Sequence, residues 1–234
     1  MAGEARSRGA RFPQKVILPA YGSCKFHFLR HTSYGIFSIM LIKSDKDIIG
    51  NYFEDSSNLK GGYADKVVIP ENTEELAYFM RETSHKKVPV TISGGGTGTV
   101  GSRIPFGGVV VSMERFNKLS EISRGRMSAT LSAGVLVEEL KNSAEKEGLF
   151  YASHPTERSA SVGGTAATNA SGSRSFRYGP TRKHVRRLKM VLPDGEILEL
   201  RRGQALLDRQ HPAIRLPSGR FIKIPVPGYR MPDV

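Results

Sequence analysis

The apolar positions of this chain change period several times, and each change predicts an element. Regularity begins at Asp65. Val67-Val68-Ile69 is a continuous apolar run stopped by Pro70, the mark of a short buried strand. Asn72 then stands three residues before Glu75, as an N-cap stands before its reciprocal acid. Leu76, Phe79, Met80 and Thr83 follow on one helical face, up to Lys86-Lys87. Val88-Pro89-Val90-Thr91-Ile92 reads as a second strand running into a glycine cluster, and Val109-Val110-Val111-Ser112-Met113 as a third. Strand, helix, strand at these lengths makes a βαβ unit. Its parallel strands put the glycine-rich turn at the carboxyl edge of the sheet, where ligands bind.

The second half has other periods. Met127, Ala129, Leu131 and Ala133 alternate with Ser128, Thr130 and Ser132, as in a half-buried strand. Leu136, Leu140 and Ala144 then recur at helical spacing, closed by Gly148. Leu188, Met190 and Leu192 alternate with Arg187 and Lys189, and Pro193-Asp194-Gly195 turns the chain into Ile197 to Leu200, predicting an antiparallel hairpin. The expected fold class is therefore α+β: a small parallel unit at 62–116, a mixed antiparallel unit at 117–203, and a ligand between them. Residues 1–60 read as an N-terminal extension before a domain spanning 61–234. The tail from Arg201 carries five prolines and a charge of +5, and it reads as a domain without its closing element.

Composition narrows the classes. The chain has 234 residues, 38% of them hydrophobic and 24% charged, which fits a globular domain and excludes a disordered or fibrous chain. One cysteine, Cys24, excludes an internal disulfide, a cysteine-ligated zinc site and an iron–sulfur cluster, and it points to a reducing, cytoplasmic setting. The apolar run Tyr34 to Ile42 is far shorter than the roughly 20 residues of a membrane span. Arg6, Arg8, Arg11 and Lys15 faintly resemble a targeting segment, but Glu4 and Pro19 interrupt it. The net charge of +13 favours an anionic partner, be it nucleic acid, a phosphorylated cofactor or an acidic surface.

The strongest local signal is Ser93-Gly94-Gly95-Gly96-Thr97-Gly98-Thr99-Val100-Gly101-Ser102. Seven glycines fall between 94 and 108, where an average usage of about 7% would give one. Without Cβ atoms a backbone can approach a ligand closely, and its N–H groups can converge on phosphate oxygens. Gly96-x-Gly98-x-x-Gly101, with Glu114 further on, formally fits the dinucleotide-binding pattern. That pattern must open a helix, whereas Val100 to Gly108 has no amphipathic period and contains Pro105. No Gly-Lys-Ser/Thr follows, so a nucleotide P-loop is excluded as well. A tight multi-glycine turn without a ligand stays open as the structural alternative.

A second segment, Pro155 to Gly172, is built from small and hydroxyl residues around Val162-Gly163-Gly164-Thr165. Such a stretch lets a flat ring press against backbone, or alternatively packs as a small-residue helix on a sheet.

Taken together, the glycine loop, the run Pro155-Thr156 through Asn169-Ala170-Ser171-Gly172, Arg177-Tyr178-Gly179 and the hairpin after them resemble the FAD-linked oxidase family. This is the p-cresol methylhydroxylase or vanillyl-alcohol oxidase type of FAD-binding domain, whose D-lactate dehydrogenase (cytochrome) and glycolate oxidase FAD subunit members look most similar. The resemblance covers about residues 60–203. It implies that Gly94, Gly95, Gly96, Thr97, Gly98, Thr99 and Ser102 hold the FAD diphosphate. It further implies that Pro155, Thr156, Ser159, Gly163, Gly164, Thr168, Asn169 and Gly172 line the ribityl chain and ring, with Tyr178 and Gly179 close by. The implied activity is oxidation of a 2-hydroxy acid of the D-lactate or glycolate type, with electrons passed to a cytochrome, quinone or iron–sulfur partner. No histidine lies in the loop, so non-covalent FAD is expected. Family members continue into a further part of the FAD domain and a substrate-covering cap, so a missing C-terminal half is expected and no catalytic residue is assigned. A non-catalytic FAD-binding fragment is the first alternative.

The remaining chemistry is sparse. His27 and His31, at i and i+4, would meet on a helix as metal ligands, but Phe26, Phe28 and Leu29 suit a packed segment and no metal is expected. His154, beside the presumed ring site, reads as an exposed loop residue, with a proton acceptor or flavin contact as the alternative. Arg174, Arg177, Arg182, Lys183, Arg186, Arg187 and Lys189, with Phe176 and Tyr178 interleaved, form the best argument for nucleic-acid binding. Half of that run alternates with apolar residues of the hairpin and fits a solvated face, so no nucleic-acid partner is expected.

Overall fold

A computed structural model describes residues 24–29, 38–153, 155–204 and 213–223. Strands β1 (Cys24–Leu29) and β2 (Ser38–Lys43) precede the short helix α1 (Lys46–Ile49). Next come β3 (Lys66–Ile69), α2 (Thr73–His85), β4 (Val90–Ser93) and β5 (Val109–Ser112). The second half holds β6 (Leu119–Ser123), β7 (Ser128–Leu131), α3 (Val137–Lys146), α4 (Val162–Ala167), α5 (Ser175–Tyr178) and α6 (Thr181–His184). Hairpins β8 (Arg187–Val191) with β9 (Ile197–Arg201), and β10 (Ala213–Arg215) with β11 (Phe221–Lys223), complete it.

The main sheet has the order β1-β2-β3-β5-β4. The β3, β5 and β4 strands are parallel, with Val67 opposite Val110 and Ile92 opposite Val111, and β2 joins β3 antiparallel. Strand β5 lies between the other two parallel strands because all four of its residues, three of them valine, are buried, and a β-branched run fits a sheet covered on both faces. The pleat divides the core in two. Val67, Ile69 and Val110 pack with Ile49, Leu41, Tyr52 and Phe53 on one face, while Val68, Val109 and Met40 pack with Phe79 and Val88 on the other. Fully burying one such valine contributes about 1.5–3 kcal/mol. Strands β1 and β2, from the segment read as an extension, are part of this same sheet.

Helix α2 starts as its sequence predicts. The Asn72 side chain accepts from Glu75 N–H at 2.8 Å, and the Glu75 carboxylate accepts from Glu71 N–H at 2.8 Å. Its buried face is Glu75, Leu76, Ala77 and Thr83, whereas Phe79 and Met80 are only half-buried. In α3 the expected Leu136 is instead the N-cap residue and 42% exposed, and Val137 takes the buried place with Leu140 and Ala144. The pairing partner of β7 is β6, whose weak pattern predicts no strand. The β8–β9 hairpin forms, but Leu188 is exposed and Leu198 is its buried residue. Its turn rests on α2, where a Cβ at Gly195 would overlap the Ala77 carbonyl.

His27 lies in strand β1, which removes the helical i, i+4 pair, and His31 lies outside the described residues. In the tail, β10 and β11 pair across Pro217-Ser218-Gly219-Arg220, and Arg220 is bound to Asp194 and Glu196 of the preceding turn.

Candidate functional site

The glycine loop leaves β4 at its carboxyl end and returns to β5 without forming a helix, which removes the dinucleotide-binding pattern as an explanation. Ser93, the last strand residue, is fully buried, and its hydroxyl accepts from Arg103 Nε at 2.8 Å. Gly96 and Gly101 adopt φ of +74° and +73°, the left-handed region that L side chains avoid. Among the described residues, none accepts a hydrogen bond from the N–H groups of Gly95, Gly96, Thr97 or Gly98. A row of backbone donors of this kind is what an anionic ligand satisfies.

The two glycine-bearing segments meet. A Cβ on Gly94 would overlap the Ser161 hydroxyl, and one on Gly95 would lie 2.6 Å from the Ser159 carbonyl and 3.2 Å from Ser161 N. The second segment is itself pinned to the β7–α3 connection. Val137 N–H donates to Ala160 O at 2.9 Å, Val162 N–H to Val135 O at 2.8 Å, and Gly163 N–H to Ala133 O at 2.7 Å. Ser161 caps α4 by accepting from Gly164 N–H at 3.3 Å, and a Cβ on Gly163 would be 2.6 Å from that of Ala133. Val162 to Ala167 is thus the small-residue helix of the structural alternative, and its N-terminal side touches the loop.

Other predicted residues spread further along this surface. Thr97 and Gly98 are half-buried, Thr99, Ser102 and Thr156 are exposed, and Pro155 is buried. Ser159 spends its N–H and hydroxyl on Glu157, at 3.1 and 2.7 Å, which holds the fully exposed Glu157 carboxyl below its ordinary pKa. Thr168 donates to Gly164 O at 2.9 Å, and Asn169, at φ +50°, accepts from Arg182 N–H at 3.0 Å. The N–H of Gly172 donates to the Ser175 hydroxyl at 2.9 Å. Tyr178, with Gly179 next to it at φ +90°, lines an open concavity of about 440 Å³ with Phe150, Ser173, Arg174 and Arg177. Gly94 and Gly95 are therefore brought against Ser159 to Ser161, while Thr168, Asn169, Gly172 and Tyr178 lie toward α5 and α6.

Sequence reading passed over a polar group beside the loop. Tyr52 OH accepts from Lys43 Nζ at 2.8 Å and donates to Glu114 at 2.9 Å, and Ser112 also donates to Glu114 at 3.1 Å. Burial raises the Tyr52 pKa, helped by the Glu114 carboxylate and opposed by Lys43. Glu114 is thus an internal partner. Asp55 accepts from Ser57 N–H at 2.9 Å, and its second carboxylate oxygen is buried without a partner among the described residues. The legible signal for this group was Arg103, the one charged residue between 93 and 108.

Several cations of the basic run have local partners. Arg187 pairs with Glu199, Arg186 donates to Arg126 O at 2.8 Å, and Arg174 and Arg177 lie over the rings of Phe150 and Tyr178 at 4.6 and 5.3 Å. His154 lies outside the described residues. Among the described residues no three metal-ligating side chains cluster, and no helix is long and apolar enough to cross a membrane.

Comparison with known proteins bears on this arrangement. A family model described as an FAD binding domain matches residues 64–201. D-lactate dehydrogenase of Anaerostipes hadrus is 42% identical over 135 residues, 57% of this chain and 28% of that protein. Glycolate oxidase subunit GlcD of Bacillus subtilis is 34% identical over 136 residues, 57% of this chain and 29% of that protein. In the solved structure of an alkyldihydroxyacetonephosphate synthase, 35% of the chain superposes on 69% of this one, with a TM-score of 0.62 and 27% identity. The matched region spans about a third or less of each of these proteins.

Proposed function

The chain belongs to the FAD binding domain family, and on that premise we propose that it is the FAD-holding part of an oxidoreductase acting on a 2-hydroxy acid of the D-lactate or glycolate type. The observation that carries the reading is the docking of Gly94 and Gly95 on Ser159 to Ser161, with the N–H groups of Gly95, Gly96, Thr97 and Gly98 finding no acceptor among the described residues. The residues present fit the cofactor. A Cβ at Gly98 would meet only Asp55 at 3.7 Å and Ser102 at 3.9 Å, so the backbone there is open to a ligand.

In this reading Gly94 to Thr99 and Ser102 hold the diphosphate through backbone donors, and Pro155 to Gly172 lie along the ribityl chain and ring. When bound, the flavin supplies the two-electron chemistry. The chain's own part is to orient it and to present N–H groups to its anionic portion. The loop contains no histidine to form a covalent link, so FAD is held non-covalently. A cytochrome, quinone or iron–sulfur partner takes the electrons onward.

The test is the visible spectrum of the purified chain before and after acid precipitation, followed by anaerobic addition of D-lactate or glycolate. Flavin bands released into the supernatant, and bleached by one of the acids, support both halves of the proposal. Flavin that is bound but not bleached supports the alternative of an FAD-binding module without turnover. A chain that neither carries nor takes up FAD refutes the cofactor site.

A further inference from the structure

We propose that Arg103 is the cation of the glycine loop and grips the diphosphate of FAD from the Gly96 side, an assignment that rests on the FAD reading above. The loop contains no other charged residue. The Arg103 side chain is pinned in three directions. Its Nε donates to the Ser93 hydroxyl at 2.8 Å, its Nη2 donates to the Asn51 carbonyl at 3.1 Å, and the guanidinium carbon lies 5.8 Å from the centroid of the Tyr52 ring. These contacts aim the third nitrogen, Nη1, at Gly96, where it fills the place a Cβ would take.

All three of those partners are neutral, so none cancels the charge. Arg103 is partly buried yet forms no ion pair among the described residues. The fields of Asp55 and Glu114 reach it and offset part of its burial, but neither carboxylate forms an ion pair with it among the described residues: Glu114 binds Tyr52 and Ser112, and Asp55 binds Ser57 through one oxygen. Asp55 also approaches the loop at Gly98 rather than at Gly96. A half-buried guanidinium with no ion-paired carboxylate has its burial offset only in part, and an incoming anion relieves it. The planar donor edge of arginine suits phosphate oxygens, and here it adds a full positive charge to the loop's unspent N–H groups. This also explains why position 96 must be glycine on two counts, its φ of +74° and the guanidinium occupying its side-chain space.

The experiment is FAD titration, followed by flavin fluorescence, of the wild-type chain, Arg103→Met and Arg103→Lys at low and at moderate salt. Loss of one charge-assisted contact should weaken FAD binding to Arg103→Met by about 10–100-fold at low salt. It should also flatten the salt dependence, because a screened charge pair has gone. Arg103→Lys should recover part of the affinity and keep the steep salt dependence. If Arg103→Met fails to fold by circular dichroism, Arg103→Gln, which keeps a donor for Ser93 without the charge, replaces it under the same criteria. Unchanged affinity overturns the assignment, and so does weakened affinity with the wild-type salt dependence, which would make Arg103 a neutral brace. A wild-type chain that binds no FAD overturns the cofactor reading itself and this assignment with it. A chain that binds FAD regardless of residue 103 overturns the assignment alone.

Discussion

Gly95 and Gly98 look alike in the sequence, yet the fold gives them opposite surroundings. At Gly95 a methyl group would press on the Ser159 carbonyl at 2.6 Å, whereas at Gly98 its nearest neighbours would be 3.7 and 3.9 Å away. Gly95→Ala should therefore force the two segments apart, lowering the melting temperature and weakening FAD binding at least about tenfold, the effect of losing about 1.4 kcal/mol. Gly98→Ala should keep stability within about 1 kcal/mol. A drop in its FAD affinity would then report close approach of the ligand rather than damage to the fold, and unchanged affinity would move the diphosphate away from this position. Tyr52 makes a different prediction. Burial raises its pKa above the ordinary 10.0, so the folded state holds the phenolic proton more tightly than the unfolded state. That contribution is complete below 10.0 and is lost as pH rises through the folded value. Lys43, where burial lowers the pKa but the Tyr52 hydrogen bond and Glu114 raise it further, acts in the same direction. Urea midpoints measured between about pH 9 and about pH 11 should fall with pH, and Tyr52→Phe should flatten that fall. An equally steep fall in the variant would place the titrating group elsewhere.

Helix α2 shows how much a local signal can fix. Asn72 and Glu75 satisfy each other's ends of the first turn within four residues, so the start was readable without any tertiary information. Asn72→Ala should reduce stability by about 1 kcal/mol, read as a lower denaturant midpoint with unchanged slope. A midpoint at the wild-type value would mean that packing alone holds this end. The helix's buried face was less legible. Leu76 and Ala77 face the interior and the β8–β9 turn rests on α2 at Ala77 and Arg81, while Phe79 and Met80 are half-buried, Phe79 against the core of Met40, Val68 and Val109. Leu136 failed for a related reason: it became the residue before α3 and bridged Ser161, which left Val137 to face inward. Strand β6 was missed since its residues, Leu119-Ser120-Glu121-Ile122-Ser123, carry few apolar positions and its pairing with β7 contains a bulge.

For the molecule as a whole, the two motifs that carry the family resemblance are separated by about sixty residues in the chain and are in backbone contact in the fold. Local pattern supplied the parallel βαβ unit, the glycine loop at its carboxyl edge, the α3 helix and the β8–β9 hairpin. Each of these rests on interactions within a few residues, namely periodicity, caps and turn residues. Composition added the anionic partner, and the resemblance added FAD. The order β1-β2-β3-β5-β4, the approach of Ser159 to Ser161 on Gly94 and Gly95, and the aim of Arg103 at Gly96 were not written in any local stretch. They depend on which distant surfaces pack together. Arg103 illustrates the difference: its charge is plain in the sequence, but its direction is set by Ser93, Asn51 and Tyr52, two of which lie some fifty residues earlier in the chain.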